Sequence, residues 1–186
     1  MGNPTRRPAT YEDLLAVPEH RVAEIIDGDL YSFPRPSSLH SRAASRLGSR
    51  LGPPFDEGVG GPGGWIILDE PELHLGPHVV VPDLAGWRRE RLTELPDVAY
   101  FTMAPDWICE VLSPSTERID RLKKLRVYAE FGVQHAWLVS PAMRSLEVYR
   151  TTGSLFALTA THADSESVRA EPFAEIALEL APLWAR

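Results

Sequence analysis

The sequence predicts an α/β protein with a mixed central β-sheet flanked by helices. An apolar run at 107–112, a helical pattern at about 117–131 and a second apolar run at 136–140 follow one another along the chain. A strand, a crossover helix and a returning strand normally pair in parallel within one sheet. Two hairpin signals, Asp27-Gly28-Asp29 and Thr151-Thr152-Gly153, add antiparallel strands. The sheet is therefore expected to be mixed.

The chain is expected to begin with a short helix and a hairpin. Thr10, with Asp13 three residues later, is a weak variant of the capping box, and Pro18 ends this helix. The first hairpin joins strands at about 21–26 and 30–33.

A longer helix is predicted next, followed by a glycine-rich connector. Ser37 or Ser38 is a suitable cap for a helix that extends to about Leu51, where Gly52-Pro53-Pro54 is expected to stop it. The stretch 58–64 lacks the Gly-Lys-Ser/Thr ending of a phosphate-binding loop, so we interpret it as a connector or a mobile flap.

Short strands then lead to the crossover unit. They are expected at 65–68, 73–75 and from His78 through Trp87, before a charged, irregular segment at 88–105. Ser113-Pro114-Ser115-Thr116 is expected to cap the crossover helix, and Gly132 to end it. The pattern at 172–184 is too mixed to assign.

Composition places the chain among cytoplasmic, single-domain proteins. We expect residues 1–186 to form one domain, because this length is sufficient for a full hydrophobic core. A single cysteine, Cys109, excludes an intramolecular disulfide and fits a reducing compartment. No apolar stretch approaches the ~18 residues of a membrane span, and Met1 to Pro8 lack the apolar core of a secretion signal.

The charge of the chain argues against a surface that binds nucleic acid throughout. The formal net charge is −7, whereas nucleic-acid binding depends largely on the neutralisation of phosphates. Two local clusters of basic residues remain, at 118–126 and at 88–91. Each of them alone is better explained as solvated surface.

Carboxylates in apolar strands are the main indication of function. Asp83 follows the run Val79-Val80-Val81-Pro82, and Glu110 lies within the apolar strand at 107–112. Burial of an unpaired charge is costly, and two converging carboxylates suit a hard divalent cation, which prefers oxygen ligands. Lys124, in the helix after Glu110, suits the positioning of a phosphate. This set favours a metal-dependent phosphodiesterase site.

Glu24, His40, Asp120 and Tyr128 are further candidates, and residues of this kind taken singly are more often structural than catalytic. Asp120, Lys124 and Tyr128 lie at i, i+4 and i+8, but the first two alone are equally a surface ion pair. Glu24 lies in an apolar strand, where it is equally a backbone hydrogen-bond acceptor, and His40 is equally a partly exposed histidine at a helix start. His74 and His78 are expected to lie in a turn, because Gly76-Pro77 prevents a helical zinc motif.

In these stretches the chain resembles the Uma2 family of restriction-endonuclease-like proteins, within the PD-(D/E)XK nuclease superfamily. The matching segments run in order from residue 23 to residue 141, and they are 23–30, His40, 81–84, 110–116, Asp120, Lys124, Tyr128, 132–133 and 137–141. Position 112, where a lysine would complete Glu-x-Lys, is a leucine. Two further departures, His135-Ala136 and the glycine-rich insertion at 58–64, lie outside the expected ligands.

The resemblance implies a restriction-endonuclease-like core and a set of site residues. Asp83, Glu110 and the backbone carbonyl of Val111 would bind the metal, Mg²⁺ or Mn²⁺. Glu24 would be an accessory acid, and Lys124 would replace the lysine absent at position 112.

The expected activity is metal-dependent hydrolysis of phosphodiester bonds in DNA. A homodimer is expected by analogy with the superfamily, because cutting two strands calls for two sites. Two alternatives remain open. One is a non-catalytic nucleic-acid-binding or assembly protein on the same fold, in which the carboxylates form a structural network. The other is a phosphatase or phosphodiesterase that acts on small nucleotides.

Overall fold

The computed structural model describes residues 7–185. Most of the segment from Met1 to Pro8, in which no secretion signal is expected, therefore lies outside the described range. In chain order the strands are β1 (Arg21–Ile26), β2 (Asp29–Pro34), β3 (Trp65–Asp69), β4 (Leu73–Leu75), β5 (His78–Val80), β6 (Leu84–Arg88), β7 (Trp107–Val111), β8 (His135–Ser140), β9 (Ser145–Thr151), β10 (Phe156–Ala163), β11 (Ser167–Val168) and β12 (Leu178–Glu179). The helices are α1 (Tyr11–Leu15), α2 (Ser38–Leu51), α3 (Glu117–Ile119), α4 (Leu125–Glu130) and α5 (Ala181–Trp184), with π-helical segments at Gly52–Asp56 and Asp120–Lys124. Within the described residues, no helix has the length and apolar character needed to cross a bilayer.

The central sheet is mixed, as the sequence predicts. Its strand order is β10-β9-β8-β7-β6-β3. Strands β7 and β8 are parallel, with Trp107 opposite His135, and the other neighbouring pairs are antiparallel. Within the described part of this sheet, β7 and β8 are therefore the only parallel neighbours, and the predicted crossover connects them.

A second sheet packs beside the first, and the chain passes between the two at Val81-Pro82-Asp83. This sheet has the order β2-β1-β5-β4 and contains the predicted hairpin, in which Glu24 lies opposite Tyr31. The expectation of one continuous strand from His78 through Trp87 is wrong. Pro82 has no N–H for a β-ladder, so β5 ends at Val80 and β6 begins at Leu84 in the other sheet.

Helix α2 ends at Leu51, as predicted, but the chain does not become extended there. The chain continues from Leu51 into a π-helical segment in which the Glu57 N–H donates to the Gly52 carbonyl at 3.1 Å. Pro53 and Pro54 remove two helical donors, and the wider winding brings Phe55, 1% exposed, into the core.

The crossover helix covers the expected range but is not a regular α-helix. The π-helical segment separates α3 from α4, and π-bulges of this kind are frequent at functional sites. Thr116 occupies the cap position without a capping side-chain hydrogen bond, contrary to expectation. Gly132, with φ of 86°, ends the helix as predicted.

Hydrophobic residues form one cluster on each face of the central sheet. Strand β7 contributes Trp107, Cys109 and Val111 to one cluster. It contributes Ile108 to the other, which also includes Leu112, the residue after the strand. The first cluster includes Phe173 from the C-terminal segment that the sequence pattern left unassigned. Its ring lies 4.9 Å from that of Trp107 and 5.6 Å from that of Trp137, measured between centroids.

Candidate active site

A cavity of about 740 Å³ opens where the two sheets meet. It is bordered by α1, the first hairpin, the start of α2, the passage between β5 and β6, the end of β7 and the π-helical segment of the crossover. Its lining includes Glu24, His40, Asp83, Glu110, Asp120 and Lys124. The fold therefore brings together side chains that are up to 100 positions apart in the sequence.

The ammonium group of Lys124 lies at the centre of the buried part of this site. Its Nζ is 2.8 Å from Glu24 Oε1, 2.9 Å from Glu110 Oε1 and 3.2 Å from the Val81 carbonyl oxygen. An ammonium group has three protons to donate, so these three acceptors satisfy it. Burial lowers the pKa of Lys124, but the charges of Glu110 and Glu24 outweigh burial, and its pKa is raised well above the ordinary value.

Glu110 is held by a second buried partner. Strand alternation turns its side chain toward α4, where Tyr128 donates to Oε1 at 2.7 Å. Burial raises the pKa of Glu110 well above its usual value, and the charge of Lys124 works against that rise. Both polar contacts use Oε1, so Oε2 accepts no hydrogen bond from the described residues.

Glu24 connects the hairpin to the passage between the sheets. Its Oε1 accepts the Val81 N–H at 2.8 Å and also contacts Lys124. The residue is 3% exposed. Pro82 interrupts the β-ladder, so the backbone of Val81 has no partner in the described strands of either sheet. The Glu24 carboxylate accepts the Val81 N–H, and the Lys124 ammonium group donates to the Val81 carbonyl.

Asp83 links β6 to the end of β7 and to α2. Its Oδ2 accepts the Val111 N–H at 2.6 Å, and its Oδ1 lies 3.3 Å from His40 Nε2. Burial lowers the pKa of His40, but the hydrogen bond and charge of Asp83 raise it by more, and the net shift is upward. His40 Nδ1 is buried with no hydrogen-bond partner among the described residues.

Asp120 lies farther from the Lys124 ammonium group than Glu24 and Glu110 do. Its Oδ1 lies 3.7 Å from Lys124 Nζ, and the residue is 2% exposed. Burial raises the pKa of Asp120 to about 6, against the opposing effects of Lys124 and Thr116. The predicted alignment of Asp120, Lys124 and Tyr128 on one buried face is confirmed, although the segment is π-helical rather than α-helical.

Sequence reasoning missed the part played by Val81. Its backbone N–H and carbonyl both contact site residues, and the following proline was the available signal. Glu70 and Glu72 also line the cavity and were not predicted. The roles of Glu24, His40, Asp83, Glu110, Val111, Asp120, Lys124 and Tyr128 stay predictions.

The two basic clusters of the sequence are largely neutralised by ion pairs. In the first, Arg121 pairs with Glu117 and Glu147, while Lys123 and Arg126 both contact Asp27. In the second cluster, Arg89 pairs with Asp56, Arg91 pairs with Asp106, and Arg88 lies over the Trp65 ring. Neither cluster presents a field of uncompensated charge.

The oxygen atoms at the cavity floor are of the type that a hard divalent cation prefers as ligands. Among the described residues, no group of three or more His, Cys, Asp or Glu side chains has the arrangement of a metal site. The predicted set contains only two such side chains, Asp83 and Glu110, and its third oxygen is the Val111 carbonyl. Mg²⁺ is usually bound by one or two carboxylates and keeps several waters. Four carboxylates also outnumber the cationic groups at the floor, so added positive charge would be favourable.

Comparison with known proteins identifies the family of this chain. A family model named Uma2 and described as "Putative restriction endonuclease" matches residues 8–182. A search of curated proteins finds no match. A crystal structure of "a putative nuclease belonging to DUF820" from Anabaena variabilis is similar, with a TM-score of 0.72 and 25% identity over 95% of this chain and 98% of that chain. The predicted resemblance and fold are thus confirmed, and the chain belongs to the Uma2 family of restriction-endonuclease-like proteins.

Proposed function

We propose that this protein is a metal-dependent endonuclease that hydrolyses phosphodiester bonds in DNA. The observation that carries the proposal is the buried contact of Lys124 with Glu24 and Glu110 at the floor of an open cavity, beside Asp83. Buried charges are rarely retained without a partner, and perturbed carboxyl groups that line a cleft are typical of functional sites. Membership of a family described as restriction endonucleases supports the same activity.

Asp83, Glu110 and the Val111 carbonyl are the proposed metal ligands. A divalent cation bound there, Mg²⁺ or Mn²⁺, would polarise the scissile phosphate and lower the pKa of a bound water. The hydrogen bond from the Val111 N–H to Asp83 Oδ2 fixes that carboxylate next to the Val111 carbonyl. His40 restrains the other oxygen of Asp83.

Lys124 is the proposed phosphate-facing cation. Because its three donors are already occupied, it reaches a substrate oxygen only by exchanging one partner. The Val81 carbonyl, at 3.2 Å, is the longest of the three contacts and the only neutral acceptor among them. Tyr128 holds Glu110 in place, and Glu24 holds the Lys124 side chain over the floor of the cavity.

A non-catalytic role is the competing proposal, and a specific observation favours it. Glu24, Glu110, Lys124 and Tyr128 satisfy one another by hydrogen bonds, as a purely structural network would. The two proposals differ over the cavity, since a structural network needs neither a cation nor a substrate. Cytoplasmic location and a homodimer remain part of the proposal, the dimer because cleavage of both strands needs two sites.

The experiment combines cation binding with cleavage. Mn²⁺ is titrated calorimetrically into wild-type protein and into the Asp83→Asn and Glu110→Gln variants, and each is assayed for nicking of supercoiled plasmid in Mg²⁺, Mn²⁺ and EDTA. We expect binding and cleavage in the wild type, with both lost in both variants. Asp106→Asn is the matched control, because Asp106 is a buried carboxylate, 5% exposed, that does not line the cavity.

Three results would contradict the assignment. Cleavage by Glu110→Gln at the wild-type rate would remove Glu110 from the site. Equal losses in Asp106→Asn would indicate general destabilisation. Hydrolysis of nucleoside monophosphates or bis(4-nitrophenyl) phosphate without plasmid cleavage would favour the small-nucleotide alternative over an endonuclease.

A further inference from the structure

The exposed side of α2 differs from the rest of the surface in its composition. The chain contains 26 acidic residues and has a net charge of −7, yet this 14-residue helix contains no carboxylate. Apart from Leu39, its exposed positions are all serine or arginine. We call this surface the arginine–serine face, and it consists of Ser38, Ser41, Arg42, Ser45, Arg46, Ser49 and Arg50.

The three arginines lie on one stripe. Arg42, Arg46 and Arg50 are separated by four residues each, so their side chains follow one another along the same side of the helix. At 1.5 Å per residue the stripe is about 12 Å long. A single strand of duplex DNA carries one phosphate per ~3.4 Å of helix axis, so the stripe spans about three to four nucleotides.

The guanidinium groups of this stripe are uncompensated. In the described part of the chain, Arg42, Arg46 and Arg50 form no ion pair and their side chains donate no hydrogen bond, whereas the basic clusters at 88–91 and 118–126 are mostly paired with carboxylates. The serines are also available as donors, except that the Ser49 hydroxyl donates to the Arg46 carbonyl at 2.9 Å. Arginine and serine are both common donors to phosphate oxygens.

The face is continuous with the candidate active site. Helix α2 begins beside the cavity, where its buried His40 contacts Asp83. Arg35, three residues before the start of α2, lines the cavity and donates to the Glu19 carbonyl, with no carboxylate partner among the described residues. A strand that leaves the cavity along α2 would therefore meet arginines in succession and no acidic side chain on the helix.

We propose that the arginine–serine face of α2 binds the sugar–phosphate backbone of the nucleic acid that enters the cavity, an inference that rests on the proposed function for its substrate. Because backbone contacts do not distinguish bases, this surface contributes affinity and orientation without sequence preference. It also accounts for nucleic-acid binding by a protein with a net negative charge, since the positive charge is concentrated on one helix.

The test is a salt titration of binding in EDTA, which separates binding from cleavage. Fluorescence anisotropy measures the affinity of the full chain for a fluorescein-labelled 20-base-pair duplex between 50 and 200 mM NaCl. The triple variant R42Q/R46Q/R50Q is compared with the wild type. Each phosphate contact contributes about 0.9 to the slope of log K against log salt, so the variant's slope should be shallower by about 2.7, with weaker binding at 50 mM.

The matched control is R89Q/R126Q/R150Q, which changes the net charge equally at ion-paired arginines outside α2. Equal slopes for the two triple variants would overturn the proposal, because only net charge would then matter. Failure of the wild type to bind the duplex, or binding of phosphatidylserine vesicles in its place, would also overturn it. Binding through this face without metal-dependent cleavage would refute the proposed endonuclease activity alone, whereas cleavage with an unchanged slope in R42Q/R46Q/R50Q would refute this inference alone.

Discussion

Removal of the Lys124 ammonium group should lower the free energy of unfolding more than most single substitutions in this protein. Lys124→Met keeps the length and apolar stem of the side chain but leaves Glu24 and Glu110 without their buried cation. Both carboxylate side chains are 4% exposed, so water cannot replace the lost interaction. Removal of one partner of a buried ion pair costs about 3–5 kcal/mol.

That cost is large beside a typical total stability of about 5–15 kcal/mol. Urea unfolding at pH 7.5, followed by tryptophan fluorescence, measures it directly. With an m-value of about 2 kcal/mol per M, the midpoint should fall by about 1.5–2.5 M. The loss should be smaller at pH 5, because burial has raised the pKa of Glu110 and of Asp120 and both carboxyl groups take up protons more readily there.

The neighbouring lysine supplies the matched control. Lys123 is about 30% exposed in its side chain and lies 3.5 Å from Asp27, a surface pair of a kind worth about 0–1 kcal/mol. Lys123→Met should therefore change the midpoint little. Equal midpoints for Lys123→Met and Lys124→Met would refute the buried ion-pair network. The double variant Glu110→Gln/Lys124→Met should be more stable than additivity predicts, because it removes both charges of one contact.

Two further changes test the buried carboxylate and the glycine-rich connector. Burial raises the pKa of Asp120 from 3.8 to about 6, so its ionisation costs stability as pH rises through this range. Asp120→Asn should be more stable than wild type by up to about 3 kcal/mol at pH 7.5 and equal to it at about pH 3, below the unfolded-state pKa. Urea midpoints that run parallel across pH would contradict this. Gly61→Ala should cost about 1–3 kcal/mol, since its Cβ would lie 2.5 Å from Pro54 Cβ and 2.6 Å from the Pro54 carbonyl oxygen. Gly52→Ala, with nothing within 4 Å of its Cβ, is the control, and equal thermal melting of the two variants would exclude that steric contact.

Local signals in the sequence were sufficient for most elements. The first hairpin follows from Asp27-Gly28, whose positive φ values of 57° and 76° suit a tight turn. Thr10 and Asp13 form the predicted capping box, and Gly132 ends the crossover helix. These features depend on neighbours in the chain, so a short window of sequence contains the information that specifies them.

The effect of a proline depends on its surroundings, and the sequence did not specify what followed it at two places. Pro82 was not expected to interrupt a strand, yet it moves the chain from one sheet to the other. Pro53 and Pro54 follow the predicted end of α2, yet the chain continues through a π-helical segment in which Phe55 is buried. In each case the packing of distant residues decided what followed the missing N–H.

The sequence by itself determined the mixed α/β architecture, the family and the set of candidate residues, because periodicity, turn chemistry and motif order are local or ordered along the chain. Only the tertiary structure decided how those residues pair. Lys124 and Glu24, which are in contact, are 100 positions apart in the sequence. In the described part of the chain, the basic residues at 118–126 are mostly ion-paired and the arginines on α2 are not, because carboxylates from distant parts of the chain lie against the first set only. Electrostatic interactions depend on the distance between charges in space, and the separation of two residues along the chain does not determine that distance.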